Sequence, residues 1–153
     1  ETEALDKALE LAKEAAREYR RKNKERHTAL LLGLYEALDK YPAGKDDAVL
    51  ARLKETRTAG LMDEQDINDL GYKYLMRHKK PGTAEHIFRC NTELFPTSAN
   101  VYDSYGEALA TNGKTDEAIK AYRKAVETGK ANRDPNLNMY EENLKKVEGK
   151  KRP

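Results

Sequence analysis

Self-similarity at a spacing of 34–35 residues constrains this chain most. Ile67, Leu70, Gly71 and Tyr74 are followed by Ala84, Phe88 and Pro96. Beside them stand Tyr102, Tyr105, Gly106 and Leu109, followed by Ala118, Tyr122 and Ala125. The two glycines are 35 residues apart and the two alanines 34, so one unit carries an extra residue, expected in the turn at Lys80-Pro81-Gly82. The spacing is mechanical. A large apolar residue precedes each glycine by four positions, and the bare glycine lets a second helix approach. That second helix offers a small alanine at the crossing and an aromatic four residues later. Such hairpins cannot cover their own apolar face and must stack.

The rest of the chain agrees with helices throughout. No stretch alternates apolar with polar over a strand's length. A first helix is expected from Thr2 to the mid-twenties, with Leu5, Ala8, Leu9, Ala12, Ala15, Ala16 and Tyr19 as one packing stripe. A second covers His27 to Lys40, with Leu30, Leu31, Leu34, Ala37 and Leu38 inward, and ends at Tyr41-Pro42-Ala43-Gly44. A third opens at Asp46 or Asp47 and closes near Ala59-Gly60, with Ala48, Val49, Leu50 and Leu53 apolar. Asp63 or Glu64 can open the next. Helices follow at about 65–78, 83–94, 99–111, 115–129 and 136–148, punctuated by Phe95-Pro96-Thr97-Ser98, Asn112-Gly113-Lys114-Thr115 and Asn132-Arg133-Asp134-Pro135. The short connections predict antiparallel neighbours.

Composition narrows the class further. Hydrophobic residues are 38% and charged residues 37% of 153, against roughly 45–50% and 25% in an average globular domain. A thin core under much wet surface suits elongated helical repeats and not a thick α/β enzyme. The densest apolar run, Thr28-Ala-Leu-Leu-Leu-Gly-Leu34, is far shorter than the roughly 20 residues of a membrane span. No secretory leader opens the sequence, and a start at Glu1 suggests a trimmed or excised chain. One cysteine excludes an internal disulfide framework and a four-thiolate zinc site. With 29 basic and 27 acidic residues, no net field favours nucleic acid.

The repeat resembles the tetratricopeptide repeat, whose large–Gly–large and Ala–aromatic–Pro pattern recurs about every 34 residues. The match covers 64–131 as two units. Asn91 stands where the second helix usually has alanine, and the proline expected after Ala125 is displaced to Pro135. Residues 1–60 form an N-terminal helical region holding a degenerate unit, because Leu30, Leu34, Ala37 and Pro42 echo a second helix while Glu18 replaces the glycine of its partner. Residues 135–148, with Leu137, Tyr140, Leu144 and Val147, read as a capping helix, and 149–153 as a tail. The resemblance implies an all-α chain of antiparallel helical hairpins stacked as a short α-solenoid with an N-terminal helical extension.

Two functions follow from resemblance. The first is a non-catalytic protein–protein interaction or scaffold module. In this repeat class the first helix of each hairpin lines a groove, which implies Gln65, Asn68, Tyr72, Leu75 and Met76 from one unit and Asn100, Asp103, Glu107 and Thr111 from the next. Tyr72 is the expected anchor. It shares a face with Leu75 and Met76, beside the acidic pair Asp103 and Glu107. That surface favours an apolar anchor flanked by Lys or Arg. It has the wrong charge for the clamp with which related repeats grip acidic chaperone tails. The second function follows from Ile67-Asn-Asp-Leu-Gly-Tyr72, Ile87-Phe-Arg-Cys-Asn91, Leu94-Phe-Pro96 and Ser98-Ala-Asn-Val-Tyr-Asp-Ser-Tyr-Gly-Glu-Ala108. These resemble the repeat tail of bacterial β-lactamase-like or esterase-type serine hydrolases. That resemblance implies an accessory domain of a larger hydrolase, cytoplasmic, or periplasmic if the hydrolase is exported.

The chemistry-bearing residues point to no catalytic or cofactor site. Ser104 lacks the glycine two residues upstream of a nucleophile elbow and lies within a predicted helix. His86 and Cys90 are four apart on one helix, but two ligands do not define a zinc site, and packing is the simpler reading. The basic run Arg20-Arg21-Lys22-Asn23-Lys24-Glu25-Arg26 and the Lys145-Lys146 and Lys150-Lys151-Arg152 pairs sit among acids and read as solvated helix surface. Asn112-Gly113-Lys114-Thr115 lacks the upstream glycine of a phosphate loop. No metal, no cofactor and no nucleic acid are expected; the expected partner is a protein or peptide, or an attached hydrolase domain.

Overall fold

A computed structural model describes residues 2–40 and 48–151. These residues are helical apart from their turns, with no strand among them. The helices are α1 (Thr2–Lys40), α2 (Ala48–Thr58), α3 (Glu64–Tyr72), α4 (Pro81–Leu94), α5 (Ala99–Thr111), α6 (Thr115–Asn132) and α7 (Leu137–Lys151). Each packs against the next in chain order, except that α2 packs against α4 rather than α3.

The first correction concerns α1. The sequence suggests two helices meeting near His27, but the structure runs one helix through Thr2–Lys40. No glycine or proline lies between Thr2 and Leu32 to stop it, and side-chain pairs such as Arg21 with Glu18 and Glu25 support the polar middle. No hairpin therefore forms within 2–40, and the partner of Leu34, Ala37 and Leu38 is α2 with Val49, Leu50 and Leu53. The expected packing stripe is also bare where it is described: Ala12, Ala15, Ala16 and Tyr19 are exposed. The expected stop at 41–44 and start at Asp46 or Asp47 lie outside the described residues.

The other elements begin and end for local reasons. Asp63 caps α3 as the sequence suggests. Its carboxylate accepts from the Asp66 amide at 2.9 Å, while the Asp63 amide donates to Asp66 Oδ2 at 3.0 Å, a reciprocal capping box. Pro81 supplies the first turn of α4. Four helix ends close on a left-handed residue, Gly60, Lys79, Gly113 and Arg133.

The extra residue of the first unit is not in the turn. Residues Lys73–Arg77 form a π-turn, with the His78 amide donating to the Lys73 carbonyl at 3.1 Å. Lys79 and Gly113, both left-handed, are 34 apart, and so are the starts of α4 and α6. The turns are thus equivalent, and the insertion is absorbed upstream inside the helix, which is what a π-bulge does.

The two glycines sit where the spacing places them. A Cβ on Gly71 would fall 2.5 Å from Cε1 of Phe88, and one on Gly106 would fall 3.0 Å from the Tyr122 ring. Gly129 repeats the device, with Tyr140 of α7 at 3.2 Å. Successive hairpins are joined by polar bonds. Asn112 donates to Glu85 Oε2 at 2.6 Å and to the Pro81 carbonyl, and Lys114 pairs with Glu85 Oε1 at 2.7 Å. Asn91, fully buried, donates to the Glu64 carbonyl at 3.1 Å.

Candidate interaction site

The nine residues expected to line a groove divide sharply. Tyr72, Asp103 and Glu107 meet. The Tyr72 hydroxyl donates to Glu107 Oε2 at 2.7 Å and lies 3.4 Å from Ser104 Oγ, while its ring stands edge-on to Phe88 at 5.0 Å. Burial raises the Tyr72 hydroxyl well above its ordinary range, and the facing Glu107 carboxylate adds to the shift. Asp103 is buried and accepts from Asn143 of α7 at 3.0 and 3.2 Å. Burial pushes its carboxyl up, the Asn143 donor opposes this, and Glu107 reinforces it. The Thr111 hydroxyl donates back to the Glu107 carbonyl at 2.9 Å.

The remaining positions go elsewhere. Asn68 is buried, and Asn100 donates to Glu64 Oε1 at 3.3 Å between hairpins. Gln65 is exposed and donates to Asp69 at 2.7 Å. Leu75 enters the core against which Tyr72 is packed, whereas Met76 is 63% exposed. Ser104 is buried inside α5, and His86 and Cys90 are buried on α4. No group of three or more His, Cys, Asp or Glu side chains able to hold a metal occurs among the described residues.

Two concave surfaces frame this region. One, of about 260 Å³, lies between α5, α6 and α7, with Glu107, Thr111, Tyr122, Lys146 and Lys150 around it. Its α7 side was not legible as a wall, since Lys146 and Lys150 read as solvated tail. The other, of about 280 Å³, lies between α1 and α3. Leu31, Leu34, Tyr35, Met62 and Leu70 make its floor, and Asp66, Asp69 and Lys73 its rim. Lys73 also stands 5.9 Å from the Tyr35 ring. The spacing of Leu31 and Leu34 showed an apolar face but not which helix would meet it.

No protein-family model matches the chain, and no curated protein matches it. No described helix is long and apolar enough to cross a membrane.

Proposed function

We propose that this chain is a non-catalytic protein–protein interaction module built from tetratricopeptide-like helical hairpins. The repeated seating of Phe88 on Gly71 and of Tyr122 on Gly106, with equivalent turns at Lys79 and Gly113, supports that reading. The cleft between α1 and α3 carries the assignment of its binding surface. There Leu31, Tyr35 and Met62, which the fold leaves partly uncovered, line an apolar hollow beside two carboxylates, Asp66 and Asp69, with Lys73 on the same rim. The inner face around Tyr72 has its polar groups bonded within the chain and serves cohesion.

The matching partner is a peptide segment with an apolar anchor flanked by Lys or Arg. The anchor fills the hollow between Leu31, Tyr35 and Met62, and the basic groups meet Asp66 and Asp69. Selection from a displayed peptide library tests this, followed by fluorescence-polarisation titration of the enriched sequences. Enriched peptides should combine one large apolar residue with neighbouring basic ones. Tyr35→Ala with Asp69→Lys should weaken them about tenfold or more at unchanged melting temperature. Binding that survives this variant but is lost on Lys146→Glu with Lys150→Glu would move the site to the α5–α7 pocket and refute the assignment.

A further inference from the structure

Asn112, at the end of α5, is the one asparagine of the chain that is followed by glycine. That dipeptide carries its own chemistry. The backbone nitrogen of the following residue can attack the side-chain carbonyl carbon of the asparagine, and glycine, having no Cβ, hinders the approach least. Gly113 is also left-handed, at φ 76°, so the turn itself calls for glycine there. The equivalent turn of the first unit holds His78-Lys79 and has no such pair.

The folded chain engages both reacting groups. The Gly113 amide donates to the Ala110 carbonyl at 3.1 Å. The side-chain amide of Asn112 donates to Glu85 Oε2 at 2.6 Å and to the Pro81 carbonyl at 3.1 Å. Lys114 takes the other oxygen of Glu85 at 2.7 Å, and the Glu85 side chain is only 17% exposed. Both acceptors of Asn112 lie in the first turns of α4, so this one amide ties the second hairpin to the first. The tie depends on a donor at 112. A carboxylate there has no proton to give. It would set a negative group against Glu85 and against the Pro81 carbonyl oxygen, with the single ammonium of Lys114 left to serve two carboxylates.

We propose that Asn112 is a site of spontaneous conversion to aspartate and isoaspartate, restrained by Glu85, and that conversion loosens the joint between the two hairpins for good. When the joint opens, the Gly113 nitrogen loses its proton to solvent base and forms a bond to Asn112 Cγ. The Cγ–Nδ2 bond breaks, and the amide nitrogen takes up a proton and leaves as ammonia. Water then opens the cyclic imide at either carbonyl. One product is aspartate at 112. The other routes the main chain through the side-chain carbon and lengthens the turn by one atom. Neither restores the donor, so the original contact does not re-form. Tyr72 with Glu107 and Asn100 with Glu64 still join the hairpins, so the product is loosened and not unfolded. The inference stands on contacts separate from those that assign the α1–α3 cleft.

Ageing the full chain in mildly alkaline buffer tests it, read by peptide mapping with mass spectrometry and by enzymatic methyl transfer to isoaspartate. In urea, where the joint is open, isoaspartate should accumulate at 112 faster than in the native chain. Glu85→Ala frees the amide and should speed native conversion about fivefold or more, the factor that a contact of ordinary strength contributes to closure. Val49→Ala lowers global stability from the buried side of α2 without touching the joint, and should speed conversion less than Glu85→Ala does. Asn112→Asp, which makes one product directly, should lower the melting temperature by about 3–6 °C while helicity is kept. An unfolded chain that forms no isoaspartate at 112 overturns the proposal. Equal native rates in wild type and Glu85→Ala overturn it, because the contact then guards nothing. A rate that follows melting temperature alone across the two variants does the same, since conversion would then proceed through global unfolding. An Asn112→Asp chain as stable as wild type would show the joint indifferent to the conversion and overturn its consequence.

Discussion

Replacing glycine by alanine at positions 71 and 106 separates close packing from helix propensity. Both glycines lie in helices, so the exchange gains up to about 1 kcal/mol of propensity at either site. The steric terms differ. At Gly71 the new Cβ falls 2.5 and 2.6 Å from Cε1 and Cζ of Phe88, a ring with no exposure and with Tyr72 against it. The ring cannot yield without displacing its neighbours. At Gly106 the nearest atoms of Tyr122 stand at 3.0 Å, and a shift of a few tenths of an ångström relieves the contact. Overpacking costs about 1–3 kcal/mol. The upper part of that range applies to Gly71 and the lower to Gly106. Gly71→Ala should therefore destabilise by about 1–2 kcal/mol net, and Gly106→Ala by about 1 or less. For a chain of this size the corresponding melting shifts are falls of about 3–6 °C and of 3 °C or less. Calorimetry and urea unfolding measure both, and Phe88→Leu should shrink the cost of Gly71→Ala through its coupling to that site. A Gly71→Ala protein as stable as wild type, or a larger loss at Gly106 than at Gly71, would refute the reasoning.

Other outcomes follow from the same structure. Tyr72→Phe removes the donor to Glu107 and should cost about 1–2 kcal/mol in urea unfolding; an unchanged midpoint would make the bond dispensable. Asp103 has a raised carboxyl pKa, so the native state holds its proton more tightly than the unfolded chain does, and its ionised form costs stability as pH rises above the ordinary carboxylate value. Asp103→Asn should therefore stabilise the protein at neutral pH and flatten its stability–pH curve in the weakly acidic range, and lower stability at neutral pH would contradict this. Cys90 should resist a thiol reagent in the native state and react on unfolding, since it is fully buried; fast native reaction would place it at the surface. Lys79 is left-handed at φ 51°, and Lys79→Gly should raise stability by about 0.5–1 kcal/mol, as seen in the melting midpoint.

The helical class, the repeat and most turns follow from the chain itself. Glycines at 71 and 106, an aromatic seventeen or sixteen residues later, and prolines and glycines between apolar runs are local signals, and local signals survive folding. Three matters were settled only by tertiary structure. Whether residues 2–40 made one helix or two depended on the absence of a partner that would reward a bend near His27. The extra residue of the first unit could be spent in a loop or in the helix. Keeping the turn at Lys79 equivalent to that at Gly113 put it into the π-turn. The fate of the inner-face residues depended on α7. Periodicity aligned Tyr72 with one unit and Asp103 and Glu107 with the next, but Asn143, forty residues beyond Asp103, bonds to that carboxylate only because α6 brings α7 back across α5. Periodicity along one helix says which residues share a face, and only the packed neighbours decide whether that face meets water or protein.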